Sequence, residues 1–145
     1  MERYLGRFSD QAYAVMRIVI GFLFMQHGAQ KLFGALPRNP DEPRAAVDLM
    51  SLMGAAGVLE FFGGALIMVG LLGGWAAFIV CGQMAVAYFT SHFPRGVMPV
   101  QNGGGELALL YCFVFLFIAT RGSGIWSIDA VMSAEKKPRR APAPA

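Results

Sequence analysis

Charge is what this chain has least of: Asp, Glu, Lys and Arg make up 14% of its 145 residues, against about 25% in an ordinary soluble domain. Histidine is nearly missing too, with His27 and His92 alone. There are two cysteines, Cys81 and Cys112, in separate apolar segments and with no CxxC between them. That spacing supports neither a thioredoxin-like pair nor a zinc knuckle, and the two read as small core residues ahead of a redox pair. No CxxCH haem attachment, flavin fingerprint or iron–sulfur cysteine set is present. The NGGGE run at 102–106 is no phosphate loop, because no Lys-Ser/Thr follows it and no strand precedes it. The apolar run after Arg3 and Arg7 lacks a small-x-small cleavage site and is read as a retained first span rather than a signal peptide. The basic tail at 136–140 has no aromatic platform beside it, so nucleic acid is not an expected partner.

What is abundant is apolar length. Hydrophobic residues are 56% of the chain, with 12 Phe and 18 Gly. Four apolar stretches, at about 12–33, 52–72, 75–92 and 106–120, approach the ~20 residues that cross a bilayer. The expected fold class is therefore all-α: an integral membrane antiparallel four-helix bundle. Residues 1–11 read as an interfacial segment, 12–131 as the membrane domain, and 132–145 as a Pro-rich, disordered basic tail. Asp41 or Glu42 before Pro43 is an expected helix start, and 45–53 reads either as a short amphipathic helix or as a prolongation of the second span. Gly73 and Gly74 are the expected turn of a tight hairpin between spans two and three, and Ser127 an expected cap. Trp126 suits the headgroup layer.

Both termini of such a bundle lie on one side. Arg3, Arg7, Arg121, Lys136, Lys137, Arg139 and Arg140 fall there, and Arg38, Arg44 and Arg95 fall opposite, which predicts cytoplasmic termini. On that topology the few polar groups inside or beside the spans gather in the outer half of the membrane: His27 and Lys31 in span one, Glu60 in span two, His92 closing span three, Asn102 and Glu106 opening span four. His27 and Lys31 stand one helical turn apart on one face, and Arg17 lies roughly 80° from His27 around the same helix. Glu60 is the most informative of them. A carboxylate far from either end of a span is costly in lipid and must turn toward neighbouring helices. Gly57, Gly63 and Gly64 share its face and admit a close neighbour. Its natural partner is Lys31 or His27, either as a register-fixing ion pair or as a protonatable group in a pocket. Glu106 also suits a helix start on dipole grounds alone. His92 alone reads more simply as an interfacial histidine. The two histidines and two carboxylates have no local ligand spacing, so no metal site is assigned. Arg17 and Asp129 lie at the inner level and are expected to pair, with snorkelling of Arg17 as the alternative.

The ordered set Arg17, Gly21, His27, Gly28, Lys31; then Glu60, Gly63, Gly64, Gly70, Leu71; then Asn102, Gly103, Glu106; and finally Gly122, Gly124, Ser127, Asp129 resembles the pattern of the DoxX family of small prokaryotic four-span membrane proteins. The similarity runs from about Val15 to Val131, with one extra glycine before Glu106. The resemblance implies a bacterial inner-membrane protein. The family takes its name from a subunit of an archaeal terminal quinol oxidase, and relatives are associated with thiosulfate:quinone oxidoreduction. Many members are labelled oxidoreductases without a shown reaction, and others act as membrane partners of soluble redox enzymes. The expected function on this footing is a quinone-linked redox subunit. Glu60 would exchange the quinol proton, His27 and Lys31 would polarise a quinone oxygen, and Glu106, His92 and Asn102 would line the pocket or relay protons. Quinone is the one cofactor this suggests, with electrons carried by the quinone itself or by a partner protein. A non-catalytic anchor or assembly subunit for a soluble redox enzyme is the alternative reading. A solute transporter is a weaker third, since no inverted repeat is visible.

Overall fold

The computed structural model of the protein describes residues 1–36, 45–96, 98–101 and 104–135. The expected helix start at Asp41, Glu42 and Pro43 lies outside them, as do Asn102 and the tail from Lys136. Every regular element among the described residues is helical. After a turn of helix at Glu2–Leu5 and a tighter one at Gly6–Phe8 come α1 (Ser9–Phe33), α2 (Leu52–Val69), α3 (Gly73–Ala87), α4 (Gly105–Arg121) and the short α5 (Ile128–Glu135). Three helical stretches, Arg3–Phe33, Leu52–Val69 and Gly73–Arg95, are long and apolar enough to cross a membrane. At 17 residues, α4 sits at the lower limit of spanning length. Many large apolar side chains face outward from these helices, with Phe22, Phe62, Phe78, Phe89 and Phe113 among them. Such a surface suits hydrocarbon rather than water.

The helix ends follow local chemistry. Helix α1 begins at Ser9, inside the segment expected to lie apart from it, and ends at Gly34 in the left-handed region (φ 62°). The anticipated helix over 45–53 does not form before Leu52. The extended Ser51 takes the amide of Gly54 on its hydroxyl (3.0 Å), and Asp48 Oδ1 takes the amide of Met50 (3.0 Å), so this chemistry starts α2 and holds the preceding residues in a turn. The amide of Val47 donates to the last-turn carbonyl of Lys31 (2.9 Å), which ties this segment to α1. The hairpin between α2 and α3 turns at Gly70 (φ 69°) and Leu72 (φ 50°), not at Gly73 and Gly74, which are already helical. The amides of Gly70 and Leu71 close back on the Leu66 carbonyl, and this left-handed exit ends α2 at Val69, before the expected Leu72.

The α1–α2 seam rests on paired glycines. A Cβ on Gly21 would stand 2.6 Å from the Met68 nitrogen, and one on Gly64 would stand 2.6 Å from the Met25 nitrogen. One turn-pair further along, Gly28 and Gly57 meet in the same way, with a Gly28 Cβ reaching 2.7 Å from the Gly57 carbonyl oxygen. The two backbones therefore touch directly. Gly63 belongs to a different seam: its missing Cβ leaves room for Val80 of α3. Between α1 and α4 the contact is aromatic, with the Phe24 ring 4.7 Å from Phe115 and 5.2 Å from Tyr111. These rings, with Ile67, Val80 and Ile118, make the buried centre.

Candidate functional site

Helix α1 delivers His27 and Lys31 to one end of this centre, and α2, running the other way, delivers Glu60 beside them. Glu60 is 2% exposed, although it carries a carboxylate in the middle of an apolar helix. Its Oε1 is ion-paired with the Lys31 ammonium and also accepts from the Gln83 amide of α3 (3.1 Å). The same amide reaches the carbonyl of Ala56 (3.3 Å). The other carboxylate oxygen, Oε2, is buried without a protein partner, as is Oε1 of Gln83. A buried polar atom left unpaired is unfavourable unless water or a ligand reaches it.

Against these groups lies a cavity of about 390 Å³, within the size range of small-molecule pockets. Phe24, His27, Lys31, Glu60, Met84, Ala87, His92, Gly104, Leu107, Ala108 and Tyr111 line it. The polar groups are concentrated on α1, α2 and the end of α3; α4 contributes mostly apolar wall and the phenol of Tyr111. The His27 ring sits edge-on to Tyr111 at 6.0 Å.

His92 reaches the cavity through a local irregularity. A regular helix continuing from the cavity-lining Met84 would bring residue 91 to the same face two turns later. Instead Tyr88–His92 forms a wider π turn, and Thr90 Oγ1 donates to the carbonyl of Val86 (2.8 Å). The wider turn shifts the register by one, so exposed Ser91 is displaced and His92 faces the chamber. Gly104 packs on its imidazole, where a Cβ would stand 3.4 Å from Cε1.

The structure thus brings His27, Lys31, Glu60 and His92 to one cavity. It does not bring Glu106 there. The first turn of α4 points that carboxylate outward, into a separate surface depression with Pro99, Val100 and Leu110. Asn102 lies outside the described residues.

At the opposite end, Arg17 is fully buried, which excludes snorkelling, and its guanidinium does not form the expected ion pair with Asp129. Nη1 donates to the carbonyls of Ile67 (2.6 Å) and Met68 (2.8 Å), and Nη2 donates to that of Trp126 (2.8 Å). The last carbonyls of α2 have no partners in their own helix and carry the negative end of its dipole, so they take the cation at closer range than the carboxylate does. Asp129 instead accepts from the amide of Leu72 (3.1 Å) and the hydroxyl of Ser123 (2.6 Å). Arg17 and Asp129 therefore clamp the two sides of one knot. Ser127 caps α5 by taking the amide of Ala130 (3.1 Å). The guanidinium of Arg121 lies over the Tyr13 ring at 4.4 Å and pairs with Asp10, joining the end of α4 to the start of α1.

A glycine-seamed helix pair, a lone buried carboxylate on its lysine and an arginine over the α2–α3 hairpin form a combination that can be compared with known proteins. The family profile of DoxX matches residues 12–93, which hold most of these features. The chain belongs to the DoxX family. A relative in Haemophilus influenzae, itself described only as uncharacterized, is 39% identical over 129 residues, covering 86% of this chain and 93% of that protein. No solved structure matches. With its apolar helices, this DoxX chain is a membrane protein.

Two members of the DoxX site escape a reading by charge. Gln83 bridges Glu60 from α3, and Tyr111 forms a wall of the cavity. Each is the polar-tipped residue inside an apolar run, GQMAVA and LLYCFV, and that isolation is the signal that marks them.

Proposed function

We propose that the protein is a four-span subunit of the bacterial inner membrane, with both termini in the cytoplasm, that binds a quinone in the chamber around Glu60. The observation that carries this reading is the unpartnered Glu60 Oε2 at the wall of a 390 Å³ cavity that also holds His27, Lys31 and His92. A quinone ring suits such a chamber: aromatic and aliphatic walls for its faces, and donors on one side for a carbonyl oxygen. Reduction of the quinone to quinol takes two electrons and two protons. Glu60 and the imidazoles are placed to hand on the protons, and a partner redox protein supplies the electrons. The test is equilibrium binding of decylubiquinol, whose hydroxyl can donate to Glu60 Oε2, to the protein in nanodiscs under anaerobic conditions. Wild type binds saturably, and Glu60→Gln weakens binding about tenfold or more, the scale of a lost charged hydrogen bond. Equal binding by the two proteins overturns the role of Glu60.

A second reading, a non-catalytic anchor for a soluble redox enzyme, is favoured by one feature. Lys31, Gln83 and Glu60 join three helices by polar bonds, as a register-fixing fastener would. Absence of saturable quinol binding, together with a stable complex recovered by crosslinking, supports this reading instead.

A further inference from the structure

The two cysteines, far apart in sequence, meet in the fold. Cys81 lies near the middle of α3 and Cys112 near the middle of α4, and their sulfurs stand 3.7 Å apart across the seam between the helices. Both thiols are free and only half-buried, so each is partly open to whatever surrounds the helices. A disulfide bond measures about 2.05 Å, so the sulfurs must close by roughly 1.7 Å, within reach of a rotation about the Cα–Cβ bonds.

We propose that Cys81 and Cys112 are a dithiol pair oxidised to a disulfide, with a lipid-soluble quinone as the electron acceptor. Two S–H bonds break and one S–S bond forms. The two electrons and two protons pass to the quinone, which leaves as quinol. The position of the pair selects the oxidant. Mid-helix thiols inside a bilayer are out of reach of water-soluble oxidants and of glutathione, whereas a quinone dissolves in the same layer. The same exclusion makes the bond persistent once formed. Its consequence falls on the chamber wall, because Met84 follows Cys81 by one turn and Tyr111 adjoins Cys112, and both line the cavity. Oxidation fixes α3 to α4 at that level. The proposal does not rest on quinone binding at Glu60.

The full-length protein, reduced and returned to nanodiscs, is incubated with duroquinone, whose ring carries no open position for thiol addition. It is then denatured in an alkylating reagent and weighed intact. The expected result is that alkylatable thiol falls from two per chain toward none, the mass drops by the two thiol hydrogens, and duroquinol appears in step. Cys112→Ser keeps its remaining thiol alkylatable, and Glu60→Gln oxidises as wild type does, which separates this site from the chamber. Retention of both alkylatable thiols in the wild-type protein overturns the proposal. A parallel treatment with the lipid-soluble oxidant 2,2′-dithiodipyridine shows whether the geometry or the quinone was at fault.

Discussion

Lys31 and Glu60 form an ion pair across the α1–α2 seam, Lys31 one turn from Gly28 on α1 and Glu60 one turn from Gly57 on α2, where the two backbones come together. The glycines and the pair depend on each other. Close approach of the backbones puts the ammonium within reach of a carboxylate that has no other ion pair among the described residues, and the pair fixes which residues of the two helices stand opposite. The partners are unequal. The Lys31 side chain is 28% exposed and that of Glu60 3%.

That asymmetry predicts an order of damage. Lys31→Met leaves Glu60 buried without a cation, whereas Glu60→Gln leaves a lysine able to turn its head outward. Breaking a fully buried pair from one side costs about 3–5 kcal/mol, and the open side of Lys31 brings the loss below that. In detergent, thermal unfolding of Lys31→Met is expected well below wild type, with Glu60→Gln closer to it. The double variant should be more stable than Lys31→Met alone, because it removes the stranded charge. A double variant no better than Lys31→Met refutes the coupling.

Two glycine substitutions should behave in opposite ways. A Cβ on Gly28 runs into the Phe61 backbone nitrogen and the Gly57 carbonyl, neither of which can move without parting the helices. Gly28→Ala is therefore expected to abolish monodisperse protein, or to lower its melting temperature sharply. Gly82, in the interior of α3, has nothing within 4 Å of the added carbon. Gly82→Ala should be neutral, or stabilising by about 0.5–1 kcal/mol from the lower entropy of the unfolded chain. Size-exclusion profiles and melting curves of the pair provide the check.

The features legible beforehand were those that lipid makes expensive. Glu60 stood out because a carboxylate inside an apolar run needs an explanation, and Lys31 followed because it was one of the few cations that could supply one. The helical class and three apolar helices long enough to cross a membrane followed from apolar length. What stayed hidden depended on the backbone. By charge alone Arg17 pairs with Asp129, because sequence shows charges and does not show the free carbonyls at the end of α2 that take the guanidinium instead. The face of His92 depends on a π turn that no side-chain pattern announces, and Glu106 was placed inside when the first turn of α4 points it out. Gln83 carries no charge, and so a search by charge passes over it.

Arg17 offers a test of that correction. Its planar fork reaches carbonyls of two separate segments, the end of α2 and the Ile125–Trp126 turn. Lysine keeps the charge but presents it as a single point and cannot span both. Were a simple ion pair the main function, Arg17→Lys would be nearly silent. The bonding seen here predicts instead that Arg17→Lys loosens the 122–127 segment, and that limited proteolysis cuts there several-fold faster than in wild type.

The pH response of this end of the molecule follows from Asp129. The Ser123 hydroxyl holds its carboxyl below the ordinary value of 3.8, helped by the amides of Leu72 and Gly73 and by the charge of Arg17, while burial works against them. The depressed value belongs to the folded state, so on acidification the unfolded chain takes up its proton first. The stabilisation from Asp129 is thus fully present above pH 3.8 and is lost as the pH falls through the lower folded value. Both tryptophans report on this knot: Trp75 shares a surface depression with Asp129 and Ser123, and the carbonyl of Trp126 is held by Arg17. A fluorescence titration of the wild-type protein should therefore stay level down to about pH 4 and change below it, since the transition tracks a carboxyl held under its usual range. Asp129→Asn should lack that acid transition and be less stable at neutral pH, and Ser123→Ala should move the transition upward toward 3.8. A transition in Asp129→Asn matching that of wild type would assign the acid response to another carboxylate and remove Asp129 from this role.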